Sequence, residues 1–216
     1  MIIAIDGPSG SGKTTTAKLL AESLKIMHLD TGAMYRAVTW GLLNEKINLE
    51  QSKRLNSFLN EMDILFNESN DIFLNKRNIS SKIRTKDITS KVSLVSSISE
   101  VRSALVKIQR DMSKNLDFVI EGRDIGTVVF PNADFKFYLT ADINIRARRR
   151  KSDLKNIGED FTVDEIKKQI EIRDLKDSTR ENSPLKKAID AIVIDTSILT
   201  VNEQIEKIIN IIKNNK

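Results

Sequence analysis

Gly7-Pro8-Ser9-Gly10-Ser11-Gly12-Lys13-Thr14 fits the pattern G-x-x-x-x-G-K-[ST], and its surroundings decide the fold that carries it. Before it, Met1-Ile2-Ile3-Ala4-Ile5 is an apolar run of the kind a parallel strand buried on both faces requires. After it, residues 14–25 predict a helix with Ala17, Leu20, Ala21 and Leu24 along one stripe. In a strand–glycine loop–helix sequence the backbone N–H groups turn inward, and with the helix N-terminus they hold phosphate oxygens. Lys13 then reaches the β- and γ-phosphates, and the Thr14 hydroxyl is offered to Mg²⁺. The stretch predicts binding of a nucleoside triphosphate, with Gly7 to Thr15 as the contact set.

The 216 residues suffice for one substantial core, or one core with an insertion. There is no cysteine and one histidine, His28, which excludes disulfides, thiol nucleophiles and histidine-rich metal sites. A metal must then be held by oxygen, which favours Mg²⁺. His28 itself reads as an ordinary packed residue. The net charge of +5 fits nucleic acid or phosphorylated small ligands, and an aromatic content of 5% is thin for stacking exposed bases. No apolar run has the length of a membrane span and the first residues lack a signal peptide's basic start, so a cytoplasmic protein without membrane attachment is expected.

Further strands are predicted at 26–30, 118–120, 135–139 and 191–195, alternating with helices at 33–43, 97–115, 143–154, 162–180 and from 200 onward. Capping-box patterns open three of these helices, at Ser97, Thr162 and Thr200. The alternation predicts a three-layer α/β fold, a five-stranded parallel sheet flanked by helices, over 1–216. Residues 45–90 break the pattern. A polar helix (49–61) is followed there by strands at Ile64–Phe66, Ile72–Leu74 and 79–83, with turns at Asn70-Asp71 and Lys76-Arg77-Asn78, as in a small inserted antiparallel sheet. Parallel sheets place ligands at the carboxyl ends of their strands, where Gly7, Asp30 and the run 121–124 all stand.

The second ligand must be read from the remaining charges. Arg173, Asp177 and Arg180 share one helix face, and Arg146, Arg149 and Arg150 form another basic face; each also reads as a solvated surface. Arg36 and Arg123, at the ends of strands or just after, are better placed to fork onto phosphate.

Asp30-Thr31-Gly32-Ala33-Met34-Tyr35-Arg36, the run from Glu121-Gly122-Arg123-Asp124 to Pro131, and Arg173-Asp174 through Arg180 resemble, in order and over nearly the whole chain, the bacterial cytidylate kinases. These are glycine-loop kinases of nucleoside monophosphates. The resemblance implies phosphorylation of CMP and dCMP by ATP with Mg²⁺, the metal held at Thr14. It implies that Thr31, Tyr35, Arg36, Gly122, Arg123, Arg173, Asp177 and Arg180 line the acceptor's phosphate and sugar, and that Ser93, Arg102 and Asp124 meet the cytosine edge. Lys13, Arg123, Arg149 and Arg180 would be catalytic. The segment 146–170 would be a lid over ATP, and 45–90 the monophosphate-binding insertion. Thr31 stands where serine is common and Glu121 where aspartate is common, which leaves the role of Glu121 open.

Elementary chemistry supports the base preference. An ionised carboxylate only accepts, so Asp124 suits the N4 amine of cytosine and opposes the oxygen of uracil. Asp124 also reads as an N-cap or as the partner of Arg123. Two other functions remain open: phosphorylation of a different acceptor, with Asp30 as base for a hydroxyl, and an ATP- or nucleic-acid-binding protein using 146–151. The chain is expected to be a monomer with no stable nucleic-acid partner.

Overall fold

The computed structural model describes residues 1–155, 158 and 160–215; part of the expected lid, at 156, 157 and 159, lies outside them. In chain order the elements are β1 (Ile2–Asp6), α1 (Lys13–Leu24), β2 (Met27–Asp30), α2 (Thr31–Asn44), α3 (Ser52–Glu61), β3 (Ile64–Phe66), β4 (Ile72–Leu74), β5 (Arg77–Asn78), α4 (Lys86–Val95) and α5 (Ser99–Met112). There follow β6 (Phe118–Gly122), a π-helical turn (Ile125–Val129), β7 (Phe135–Thr140), α6 (Ile143–Lys155), α7 (Val163–Thr179), β8 (Ile192–Asp195) and α8 (Val201–Asn214). They form two compact units, Met1–Leu29 with Asn115–Lys216, and Asp30–Lys114.

The first unit is built on a five-stranded sheet of order β2-β6-β1-β7-β8. β1 runs parallel to β6 and β7, and β7 parallel to β8. β1 is central because its side chains are apolar on both faces, and Ile3, Ala4 and Ile5 are all fully buried. One face gathers Ile3, Ile5, Val119, Phe137, Leu139 and Ile194 against Ala17, Leu20 and Ala21 of α1 and Ile205, Ile208 and Ile212 of α8. α6 and α7 hold each other through Ala147, Leu154, Ile166 and Ile170. The chain leaves β1 for β2 on one side, and β7 lies on the other, so the carboxyl end of β1 is the topological switch point.

The second unit packs α2 on α4, α5 and β4, and α3 on α5. Its three-stranded antiparallel sheet, β3-β4-β5, differs from expectation at the third strand. Asn75 and Lys76 both take positive φ, the geometry of a two-residue hairpin turn. The turn therefore falls before Arg77, β5 is Arg77–Asn78, and Ile79 and Ile83 are buried in the turns that follow. The helix α4 was not foreseen. The capping box expected at Ser97 does not form: the Ser97 hydroxyl donates to the Leu94 carbonyl, closing α4, and Ile98 takes the N-cap position of α5. Those at Thr162 and Thr200 do form.

Candidate active site

The glycine loop joins β1 to α1 at the switch point. A Cβ on Gly7 would lie 2.0 Å from the Leu139 carbonyl oxygen, a backbone atom of the neighbouring strand that cannot yield. One on Gly10, at φ +76°, would press on the backbone and Cβ of Arg146. Gly12 is the N-cap of α1, and no acidic residue stands in the first turn, so the positive helix end is left for an anion. The buried Lys13 ammonium donates to the Pro8 carbonyl at 2.7 Å. Burial, and then the nearby Arg123 guanidinium, lowers the Lys13 pKa to about 7. Thr14 and Thr15 are exposed on the first turn of α1.

Beneath the loop, the Thr14 hydroxyl donates to Glu121 Oε2 at 2.9 Å, while Glu121 Oε1 lies 3.2 Å from His28 Nε2. A hydroxyl and a carboxylate are hard oxygen donors of the kind Mg²⁺ takes singly alongside phosphate and water. Among the described residues no group of three or more acidic or histidine ligands forms a cage, which such a site does not require. Asp6, at the end of β1, accepts from the backbone N–H groups of Ile125 and Gly126 at 2.9 and 2.8 Å. Burial is the main reason its pKa rises to about 6.

Around the carboxyl end of β6, past Gly122, the arginines are gathered on acids. Arg123 Nε donates to Asp177 Oδ2 at 2.9 Å, and Arg173 Nε stands 3.9 Å from the same oxygen. Arg180 Nη2 lies 3.8 Å from Asp124 Oδ1. Asp124 thus faces the Arg180 guanidinium. Burial and the charge of Arg123 lower the Arg173 pKa to about 10, so it stays cationic at neutral pH.

The basic face of α6 turns inward in part. Arg146 pairs with Asp174 and donates to the Ser9 carbonyl at 3.0 Å, while the Ser9 N–H donates to Asp174 at 2.9 Å. Arg149 forks onto the hydroxyl and carbonyl of Thr196, at 2.9 and 2.6 Å. Two of the five basic residues in 146–151 are thereby spent on loop geometry, which weakens the nucleic-acid reading.

In the second unit the Asp30 carboxylate caps α2, accepting from the Ala33 N–H at 2.9 Å. That use weakens Asp30 as a base for a hydroxyl acceptor. Thr31 and Tyr35 are buried on α2, and the Arg102 guanidinium lies 5.4 Å from the Tyr35 ring centroid. Arg102 also donates to the Ser96 carbonyl at 3.1 Å. Arg36 Nη1 donates to the Thr89 hydroxyl at 2.9 Å, and Ser93 is half-buried on α4.

Sequence reasoning missed Asp6, Asp174, Thr196 and the pairing of His28 with Glu121. Asp6 did carry a signal, a carboxylate closing an apolar strand immediately before the loop. The others depend on contacts between distant segments.

Comparison with known proteins extends these observations. The cytidylate kinase family profile matches residues 3–214. A bifunctional pantoate ligase/cytidylate kinase of Prochlorococcus marinus is 47% identical over 215 residues, 97% of this chain; the chain spans 42% of that relative's length. The cytidylate kinase of Thermosipho melanesiensis is 48% identical over 211 residues, covering 98% of this chain and 96% of its own. The solved shikimate kinase of Bacteroides thetaiotaomicron shares the fold alone, with a TM-score of 0.52 at 11% identity over 99% of this chain and 98% of its own. With a glycine-loop cradle at the switch point, arginines gathered at the neighbouring strand end, and a family match over nearly every residue, this chain belongs to the cytidylate kinase family.

Proposed function

We propose that the chain transfers the γ-phosphoryl group of ATP to CMP and dCMP, yielding CDP and dCDP, with Mg²⁺ accompanying ATP. The observation that carries this reading is the set Arg123, Arg173 and Arg180, held on Asp177 and Asp124 in the same unit as the glycine loop. These are cations stored on exchangeable acids, as a site awaiting an anionic acceptor requires.

The acceptor's phosphate has a second pKa of about 6 and is already nucleophilic at neutral pH, so no general base is needed. What the protein must do is align two anions for in-line transfer and neutralise the charge between them. Lys13 and the N–H groups of the loop would hold the donor phosphates. Arg123, Arg173 and Arg180 would take the acceptor's phosphate, with Asp177 turning to the sugar. Asp124 would accept from the cytosine amine. Thr31, Tyr35, Arg36, Ser93 and Arg102 would contact the acceptor, as the resemblance of their sequence segments implies. Thr14, its hydroxyl hydrogen donated in a hydrogen bond to Glu121, would be the protein's ligand to Mg²⁺, which when bound would neutralise phosphate charge.

Segment 146–170 would close over ATP, bringing Arg149 from Thr196 to the transferring phosphate and excluding water. Arg149 Nη1 already lies within 3.8 Å of where a Gly12 Cβ would be.

An ADP-release assay with CMP, dCMP, UMP and AMP side by side tests the proposal. CMP and dCMP should raise ATP consumption at least about a hundredfold over ATP alone, as capture of the reacting groups in line implies. ATP consumption no faster with either cytidine nucleotide would refute it.

A further inference from the structure

We propose that His28 is a positioning residue that fixes Glu121, so that Glu121 in turn orients the Thr14 hydroxyl toward the cation. This rests on the reading of Thr14 as the Mg²⁺ ligand. β2 and β6 are neighbours in the sheet, and that adjacency brings His28 and Glu121 together across 93 residues of chain. Both side chains are almost fully buried, 7% and 4% exposed. An ionised carboxylate only accepts hydrogen bonds, so the His28 Nε2 carries the hydrogen in this contact.

The two carboxylate oxygens do different work. Oε1 receives the imidazole at 3.2 Å and Oε2 receives the Thr14 hydroxyl at 2.9 Å. With its hydrogen directed at Oε2, the Thr14 oxygen turns its lone pairs away from Glu121, toward the exposed side of the loop where the triphosphate would lie. Glutamate has one more rotatable bond than aspartate, so its carboxylate needs an anchor that the shorter side chain would not. His28 supplies it. The two residues form a matched pair, and the chain's only histidine is a support for the metal site rather than inert packing.

Calorimetric binding of ATP with and without Mg²⁺ tests this, using wild type, His28→Ala, His28→Gln, Glu121→Asp and the double variant Glu121→Asp/His28→Ala. His28→Ala should lose about tenfold of the Mg²⁺-dependent gain in ATP affinity, in the range seen when supports of metal ligands are removed, and leave metal-free ATP binding unchanged. His28→Gln, whose amide can still donate, should recover most of the loss. On the Glu121→Asp background the effect of His28→Ala should shrink to within about twofold, because the shorter side chain no longer needs the anchor. Should His28→Ala not fold, His28→Met fills the space without a donor and must show the same loss.

An unchanged Mg²⁺ gain in the folded His28 variant overturns the inference. So does an equal loss with and without metal accompanied by a lower Tm, the mark of a packing residue. If wild type itself shows no Mg²⁺ gain, the assignment of Thr14 fails, and the inference with it.

Discussion

Two buried carboxylates near strand ends, Asp6 and Asp124, meet different partners. Asp6 is tied to the backbone of the π-helical turn, and burial holds its pKa near 6 against an ordinary 3.8. Between those values the folded chain keeps a proton that the unfolded chain has lost. The stability from this group is therefore present at low pH and declines as pH rises toward 6, by about 2–3 kcal/mol in all. Asp6→Asn cannot titrate, so urea unfolding at pH 4.5 and pH 7 should show wild type losing stability relative to the variant; parallel pH dependences would refute it. Asp124, by contrast, faces Arg180 at 3.8 Å. Asp124→Asn offers uracil a donor where the carboxylate offered only repulsion, and the CMP-over-UMP ratio of kcat/KM should fall by about tenfold or more. An unchanged ratio would remove Asp124 from base recognition.

The same kind of sequence signal gave different results from helix to helix. Thr162 and Thr200 each accept from the N–H three residues on and are answered by Glu165 and Glu203. Ser97 has the same pattern, but its hydroxyl is used by the preceding turn. Thr162→Ala and Thr200→Ala should each cost about 1 kcal/mol in urea unfolding, and Ser97→Ala only a few tenths. Equal costs at all three would contradict the cap assignment. β1, its loop and α1 were legible because every cue there is local: an apolar run, glycines at fixed spacing, and a stripe of small and apolar residues. α4 was not, because Ile88, Thr89, Val92 and Val95 are β-branched and disguise a helical spacing as strand-like texture. The π-helical turn within Gly122–Pro131 has no periodicity to read, and the link from His28 to Glu121 exists only once the sheet has formed.

Across the whole molecule, the surplus of five positive charges would, on the proposed function, meet two polyanionic ligands. Electrostatic capture of that kind is screened by salt. Raising KCl from about 0.05 to 0.3 M should increase KM for both nucleotides several-fold, with kcat little changed; salt-independent KM values would show that the charge surplus plays no part in capture. Among the described residues no helix is long and apolar enough to cross a membrane. Each compact unit also contains one residue type found nowhere else in the chain. His28 belongs to the first, and Trp40 to the second, with Arg77 and Lys82 at 5.2 and 5.6 Å from its ring centroid. A lone imidazole resonance and a lone indole emission are thus built-in labels, already resolved without mutagenesis or isotope schemes. Adding ATP and then CMP while recording both would time events in one half of the chain against those in the other.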